Sequence, residues 1–121
     1  MNGAKTILLV DDDEGFVDTI AVFLRRKGFG VEVEKTVDQA LRRLDTLRPD
    51  LAVVDLLLDN ADGTDVIKRI KEKYPKAYTI VLSGQREDQV KDKVVRCGAD
   101  EFLPKPLTTS QLKEILEKVF S

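Results

Sequence analysis

Carboxylates, a hydroxyl and a lysine follow short apolar runs at four places in this chain. Asp11 and Asp12 come directly after one run, Asp55 after a second, Ser83 after a third, and Lys105 just after a fourth. Three carboxylates held close together repel one another, and a hard divalent cation relieves that repulsion. Mg²⁺ favours one or two carboxylates together with water and phosphate oxygens. These positions therefore predict phosphoryl chemistry at a metal site.

The charge balance of such a site suits a phosphoryl group. One divalent cation and the Lys105 ammonium together balance three carboxylates, so a phosphoryl group can enter without a large uncompensated charge. A carboxylate can attack phosphorus and form an acyl phosphate. The transition state is loose and anionic, so positioning and cations supply most of the catalysis. We expect Asp55 to be the nucleophile, with Ser83 and Lys105 binding phosphate oxygens.

Each of these residues also has a plainer interpretation. Acids after strands are commonly solvated, and Asp55 is also a residue type that closes a strand as a turn former. A serine at a strand end is often a helix cap, and a lysine in a turn is often only solvated. All four plain interpretations would have to hold together at four strand ends, so we favour the shared site.

Composition narrows the possible functions of this chain of 121 residues, which we expect to form one domain over residues 1–121. The net charge of -2 gives no reason to expect binding to nucleic acid or membranes. No signal peptide or bilayer-spanning run is apparent, and the single cysteine, Cys97, permits no disulfide framework, so a cytoplasmic location is predicted. The chain has no histidine, so acid, base and metal roles fall to carboxylates, hydroxyls and lysines.

Five short segments, each followed by a helical pattern, predict the elements that position these residues. The segments are 7–10, 31–34, 51–55, 79–82 and 101–103. Three of them, 7–10, 51–55 and 79–82, are apolar runs without polar alternation, which indicate strands buried on both faces, as in parallel sheets. Segment 31–34 alternates apolar and charged residues, as an edge strand with one wet face does, and segment 101–103 is very short. We predict an α/β fold: a five-stranded parallel sheet of order 2-1-3-4-5, with five helices on both faces. The carboxyl ends of the first and third strands then meet at the crevice where such sheets bind ligands.

Helical spacing of apolar residues predicts which faces of the helices are buried. On the first helix this stripe consists of Phe16, Ile20, Phe23 and Leu24. The second helix is predicted to run to residue 47, before a proline. Two capping boxes are predicted at the starts of the second and fifth helices, over residues 36–39 and 108–111.

Several motifs match one known family in order and spacing. They are 10–12 after the first strand, Asp55 with Gly63 eight residues later, Ser83 after the fourth strand, the segment 98–102, and Lys105 followed by Pro106. With these motifs the chain resembles the receiver domain of a two-component response regulator, over essentially its full length, and this fold is flavodoxin-like.

The resemblance implies a phosphorylation-dependent signalling switch. Asp55 would accept a phosphoryl group from a phosphohistidine on a sensor histidine kinase or a histidine phosphotransfer protein. Asp11, Asp12, Asp55 and the backbone carbonyl of Leu57 would hold Mg²⁺ or Mn²⁺. The domain would be a regulator and not an enzyme, with intrinsic autophosphorylation and autodephosphorylation chemistry.

The resemblance also implies how the signal is passed on. Ser83 and Lys105 would contact the phosphate, the bond between Lys105 and Pro106 would be cis, and Phe102 would be the switch aromatic residue. The face formed by the fourth helix, fifth strand and fifth helix would then shift and control an output domain or a partner protein. Phosphorylation-dependent dimerisation is a further expectation, whereas direct contact with nucleic acid or a membrane is not expected.

Three residues depart from the common pattern of the family. Asp59 stands where proline is usual, Ser83 replaces the more frequent threonine, and Phe102 lacks the hydroxyl of tyrosine. Leu57, two residues after Asp55, is apolar, and our hypothesis is that it crowds the water that hydrolyses the acyl phosphate.

Three other functions remain as alternatives. The pair Asp11 and Asp13 is similar to a motif of Mg²⁺-dependent phosphohydrolases of the haloacid dehalogenase type, although those enzymes carry the nucleophile on the first strand. A binding module that has lost phosphorylation would have no reason to keep all the acids, Ser83 and Lys105. Flavin binding would require a loop rich in serine, threonine and glycine after the first strand, where four consecutive acids would repel the phosphate.

Overall fold

The computed structural model describes residues 4–58 and 61–121. Its strands are β1 (Thr6–Val10), β2 (Gly30–Glu34), β3 (Leu51–Asp55), β4 (Leu57–Leu58), β5 (Ala61–Asp62), β6 (Tyr78–Ser83) and β7 (Glu101–Pro104). Its helices are α1 (Glu14–Arg26), α2 (Val37–Arg43), α3 (Thr64–Lys73), α4 (Glu87–Cys97) and α5 (Thr109–Phe120). No helix within these ranges is long and apolar enough to cross a membrane.

Five of the strands form a parallel sheet in the order β2-β1-β3-β6-β7. Counted among themselves these strands follow the order 2-1-3-4-5, which confirms the predicted α/β fold and topology. The register pairs Val10 with Val54, and Asp55 with Leu82. All the carboxyl ends therefore lie along one edge of the sheet.

The sheet separates two hydrophobic cores. Alternate residues of β3 belong to opposite cores: Ala52 and Val54 pack with α2, α3 and α4, whereas Leu51 and Val53 pack with α1 and α5. Every residue of β3 is buried. This explains why the strand carries no polar alternation before it reaches its final carboxylate.

The buried stripe of α1 differs in part from the prediction. Val17, Ile20, Ala21 and Leu24 are the buried residues of this helix. Phe16 and Phe23 are only partly buried at the edge of the same core. The helix is therefore turned so that small and medium side chains approach the sheet, which allows closer packing.

Helix α2 is shorter than predicted, because it ends at Arg43 and not at residue 47. The carbonyl of Leu44 accepts hydrogen bonds from Lys73 Nζ, at the end of α3, and from Tyr74 Oη, directly after it, both at 2.9 Å. These tertiary partners replace a further helical turn. The predicted box at the start of α5 is complete, with Thr108 and Gln111 bonded reciprocally.

A two-residue antiparallel ladder between β4 and β5 was not predicted. It pairs Leu57 with Asp62 and Leu58 with Ala61, directly after the central strand. Asp59, noted above as a departure from the family pattern, lies outside the described residues.

Asp50 joins three strands at the opposite edge of the sheet. Its side-chain Oδ2 accepts a hydrogen bond from Thr6 N at 2.8 Å, and its own backbone N–H donates to Thr6 O at 2.8 Å. Its carbonyl accepts from Tyr78 N at 3.0 Å. The beginnings of β1, β3 and β6 are thus held level by one residue.

Candidate functional site

Three carboxylates meet at the carboxyl edge of the sheet. Asp11, Asp12 and Asp55 each offer an oxygen atom, and these three atoms lie within 4.8 Å of one another. The arrangement follows from the fold, because β1 and β3 are neighbours and Val10 is in register with Val54. Asp11 and Asp55 are only 2% and 7% exposed, whereas Asp12 is open to solvent.

Lys105 extends from the end of β7 into this group of acids. Its Nζ donates a hydrogen bond to Asp55 Oδ2 at 2.7 Å and lies 3.4 Å from Asp11 Oδ2. Its backbone N–H donates to Ser83 O at 2.9 Å, which fixes the loop against β6. The peptide bond between Lys105 and Pro106 is cis.

Asp11 carries the clearest sign that the acids suit a cation. Its Oδ1 accepts a hydrogen bond from Asp13 N at 3.0 Å. Its buried Oδ2 has no hydrogen-bond partner among the residues that the structure describes. A buried carboxylate oxygen without a hydrogen bond is costly, and coordination to a hard divalent cation would satisfy it. The all-oxygen donor set fits such an ion.

Burial and charge act in opposite directions on the ionisable groups of the site. Burial raises the pKa of the Asp11 carboxyl, and the Asp13 hydrogen bond and the Lys105 charge only partly offset this effect. Burial alone would lower the pKa of Lys105, but the hydrogen bond to Asp55 and the charge of Asp11 outweigh it and raise that pKa. The Lys105 side chain therefore stays protonated beside Asp55.

The Asp55 carboxylate is held from both sides. Oδ2 accepts from Lys105, and Oδ1 accepts from Leu57 N at 3.2 Å. The backbone directly after the strand is fixed to β6, since Leu56 N donates to Leu82 O at 2.8 Å. Leu57, two residues after Asp55, is 59% exposed.

Ser83 is buried at the end of β6, with 3% exposure. Its Oγ accepts a hydrogen bond from Gln85 N at 2.9 Å, an arrangement that leaves the hydroxyl proton free to donate. Phe102 lies on β7 in register with Val81 and is partly buried against the core of α2, α3 and α4. The structure thus places Ser83 on the same edge as the acids, and Phe102 further back along the neighbouring strand.

The last two of the four consecutive acids have other partners. Asp13 caps α1 by accepting from Phe16 N at 3.2 Å, and Glu14 forms an ion pair with Lys35 at 2.6 Å. Sequence reasoning did not assign the Lys35 contact, because it joins residues from two different strand ends. The Asp13 carboxylate is thus engaged at the start of α1.

Comparison with known proteins gives a consistent result. The family model described as "Response regulator receiver domain" matches residues 7–117. The photosynthetic apparatus regulatory protein RegA of Rhodobacter capsulatus is 30% identical over 112 residues, which cover 93% of this chain and 61% of RegA. The chain thus spans about three fifths of the length of that relative.

Two solved structures share the fold closely. A CheY-like response regulator receiver domain protein from Methanospirillum hungatei superposes with a TM-score of 0.87, at 27% identity, over 97% of this chain and 94% of that one. A response regulator from Burkholderia pseudomallei, with a phosphorylated aspartic acid, a calcium ion and citrate, gives a TM-score of 0.82 at 29% identity. That superposition covers 94% of this chain and 72% of the other.

Proposed function

This chain belongs to the response regulator receiver domain family, and on that premise we propose that Asp55 is its phosphoacceptor. The observation that carries the proposal is the position of the Asp55 carboxylate, within 4.8 Å of Asp11 and Asp12 and 2.7 Å from Lys105. Receiver domains are signalling proteins, so we assign residues 1–121 to one domain that passes on a signal.

We assign the cation of this site to Mg²⁺ or Mn²⁺. The carboxylates of Asp11, Asp12 and Asp55 and the backbone carbonyl of Leu57 would hold it. When bound, such an ion neutralises charge on the phosphoryl oxygens. Two buried carboxylates and one exposed one support this assignment, as does the Oδ2 of Asp11, which has no hydrogen bond and only an ion pair with Lys105 at 3.4 Å.

The transfer step exchanges one bond for another at phosphorus. A carboxylate oxygen of Asp55 forms the new O–P bond, and the P–N bond to the donor imidazole breaks. The electron pair of the broken bond stays on the imidazole nitrogen, which is then available for a proton. Because these 121 residues contain no histidine, the donor histidine lies outside them, on a sensor histidine kinase or a phosphotransfer protein. Small phosphodonors would react at the same oxygen, which is the autophosphorylation chemistry.

Lys105 and Ser83 would stabilise the phosphoryl group through their donors. Lys105 already reaches Asp55 Oδ2, so its ammonium lies beside the carboxylate that would react. Ser83 would donate its free hydroxyl proton to a phosphate oxygen, while its Oγ accepts from Gln85 N. Phe102 would then turn inward as the switch aromatic residue, held by packing alone. The face of α4, β7 and α5 would change as a result and control an output domain, a partner or dimerisation.

Hydrolysis would return the domain to its resting state. Water attacks phosphorus, the O–P bond to Asp55 breaks, and inorganic phosphate leaves. The exposed Leu57 side chain stands beside that carboxylate in the chain, and we assign it the role of crowding the attacking water.

The test is the intact mass of the protein after incubation with acetyl phosphate and Mg²⁺. Wild type should gain the mass of one HPO₃ group, and Asp55→Ala should not. Asp38→Ala, which removes an exposed acid on α2, is the matched control and should gain the same mass as wild type. Chelation of the metal should suppress the gain. A wild-type protein that gains no mass, or an Asp55→Ala variant that still gains it, would contradict the proposal.

A further inference from the structure

Gly63, the residue before α3, packs directly against the backbone of Asp55. A Cβ atom at this position would lie 2.1 Å from Asp55 O, 3.1 Å from Asp55 C and 3.1 Å from Val54 Cγ1. The dihedral angles of Gly63, φ -64° and ψ -13°, are ordinary helical values open to any residue. Glycine is therefore required here for space and not for backbone conformation.

Hydrogen bonds join Gly63 to the segment on each side of it. Its N–H donates to Leu56 O at 2.8 Å, next to the phosphoacceptor. Its carbonyl accepts from Val66 N at 3.1 Å in the first turn of α3. The preceding Asp62 accepts from Thr64 N at 2.9 Å through its side chain. Gly63 thus lies between the end of β3 and the start of α3 and holds the two together.

This connection between the end of β3 and the start of α3 also fixes the positions of Asp55 and Leu57. Leu57 is paired with Asp62 in the short ladder, and Leu57 N donates to Asp55 Oδ1 at 3.2 Å. A displacement of Gly63 away from Asp55 would carry Asp62 with it and shift Leu57. Both the Asp55 carboxylate and the Leu57 carbonyl would move relative to Asp11, on the neighbouring strand.

We propose that Gly63 is a positioning residue for the divalent-cation site, because the contact of its Cα with the Asp55 peptide sets the distance between β3 and the start of α3. This inference rests on the proposed function, since it concerns the cation held by Asp11, Asp12, Asp55 and the Leu57 carbonyl. It adds a residue that touches neither the cation nor the phosphoryl group.

The chain contains a matched control for a Gly→Ala substitution. At Gly30, on the edge strand β2, a Cβ would lie 3.7 Å from Thr6 Oγ1 and 3.8 Å from Lys5 O, which are ordinary van der Waals distances. Gly30→Ala adds the same methyl group and loses the same backbone freedom, but it pushes on nothing near the site.

The first experiment measures the Kd for Mg²⁺ alone, by calorimetric titration of folded wild type, Gly63→Ala and Gly30→Ala, with thermal unfolding of each in chelator. Loss of an outer-shell partner costs about 10- to 100-fold in metal affinity, so we expect a Kd raised about tenfold or more for Gly63→Ala and unchanged for Gly30→Ala. A lower Tm with an unchanged Kd would show a merely structural role and overturn the inference. A wild type that binds no Mg²⁺ would instead contradict the proposed function.

A second pair of variants decides the matter if Gly63→Ala does not fold. Asp62→Ala and Asp62→Asn both remove the charge of an acid near the site, but only Asp62→Ala removes the side-chain acceptor that bonds Thr64 N. If the connection between β3 and α3 positions the cation site, Asp62→Ala should bind Mg²⁺ more weakly than Asp62→Asn. Equal affinities of the two folded variants would overturn the inference.

Discussion

Replacing Lys105 with methionine tests how the acids of the site are balanced when no cation is bound. The substitution keeps a long unbranched side chain but removes the ammonium that bonds Asp55 Oδ2 at 2.7 Å and lies 3.4 Å from Asp11 Oδ2. Two buried carboxylates then face each other without compensation. We expect Lys105→Met to be less stable than wild type in the presence of a chelator.

The size of the effect follows from the contact that is lost. A hydrogen bond to a charged group contributes about 1.5–3 kcal/mol. The Lys105 side chain is 32% exposed, so solvent screens part of this and we take about 2 kcal/mol. For a chain of this size 1 kcal/mol shifts Tm by about 4 °C, so Tm should fall by about 8 °C.

Mg²⁺ should restore most of the Tm that Lys105→Met loses in chelator, because the ion supplies the missing positive charge. At a free concentration of about 100 times Kd, binding stabilises the folded state by about 2.7 kcal/mol. Thermal unfolding in chelator and in Mg²⁺ measures both effects, and Lys113→Met, on the exposed face of α5, is the control. A Lys105→Met variant as stable as wild type in chelator would refute the electrostatic reasoning.

Two further predictions concern Leu57, just after the central strand, and Asp100, just before β7. Leu57→Asn should lose the phosphoryl group from Asp55 severalfold faster than wild type, measured as the decay of the phosphorylated mass; an equal or slower decay would contradict the role of Leu57. Partial burial alone would raise the pKa of the Asp100 carboxyl, but Lys71 and Thr79 bond to it and hold that pKa below its ordinary value of 3.8. Its contribution to stability is therefore present above that value and lost as the pH falls through the lower folded pKa. Asp100→Asn should lower Tm at pH 7, and the difference from wild type should shrink in acid; a constant difference would argue against the linkage.

The fold and the edge that carries the site could be predicted because both follow from local patterns. The apolar run that ends in Asp55 has no polar alternation, and this pattern occurs in strands buried on both faces. Once parallel pairing is inferred, the ends of the strands must share one edge. The convergence of Asp11 and Asp55 required no knowledge of their contacts.

What could not be predicted depends on contacts between distant residues. The end of α2 is set by the side chains of Lys73 and Tyr74, which bond the Leu44 carbonyl, and no local pattern around residue 44 predicts these bonds. The partly buried positions of Phe16 and Phe23 depend on how α1 is rotated against the sheet. The ladder between Leu57 and Asp62 is too short to produce a periodic pattern.

Asp50, at the start of β3, bears on the chemistry at the far end of the same strand. Because β3 is apolar on both faces, its side-chain pattern alone would tolerate a slip of one position past its neighbours, and such a slip turns every side chain to the opposite face. The bonds from Asp50 to Thr6 and Tyr78 lock the alignment at its origin. Asp55 lies five residues further along the strand, at about 3.3 Å per residue. The hydrogen bonds of Asp50 at one edge of the sheet therefore fix the position of the Asp55 carboxylate at the other edge, about 17 Å away.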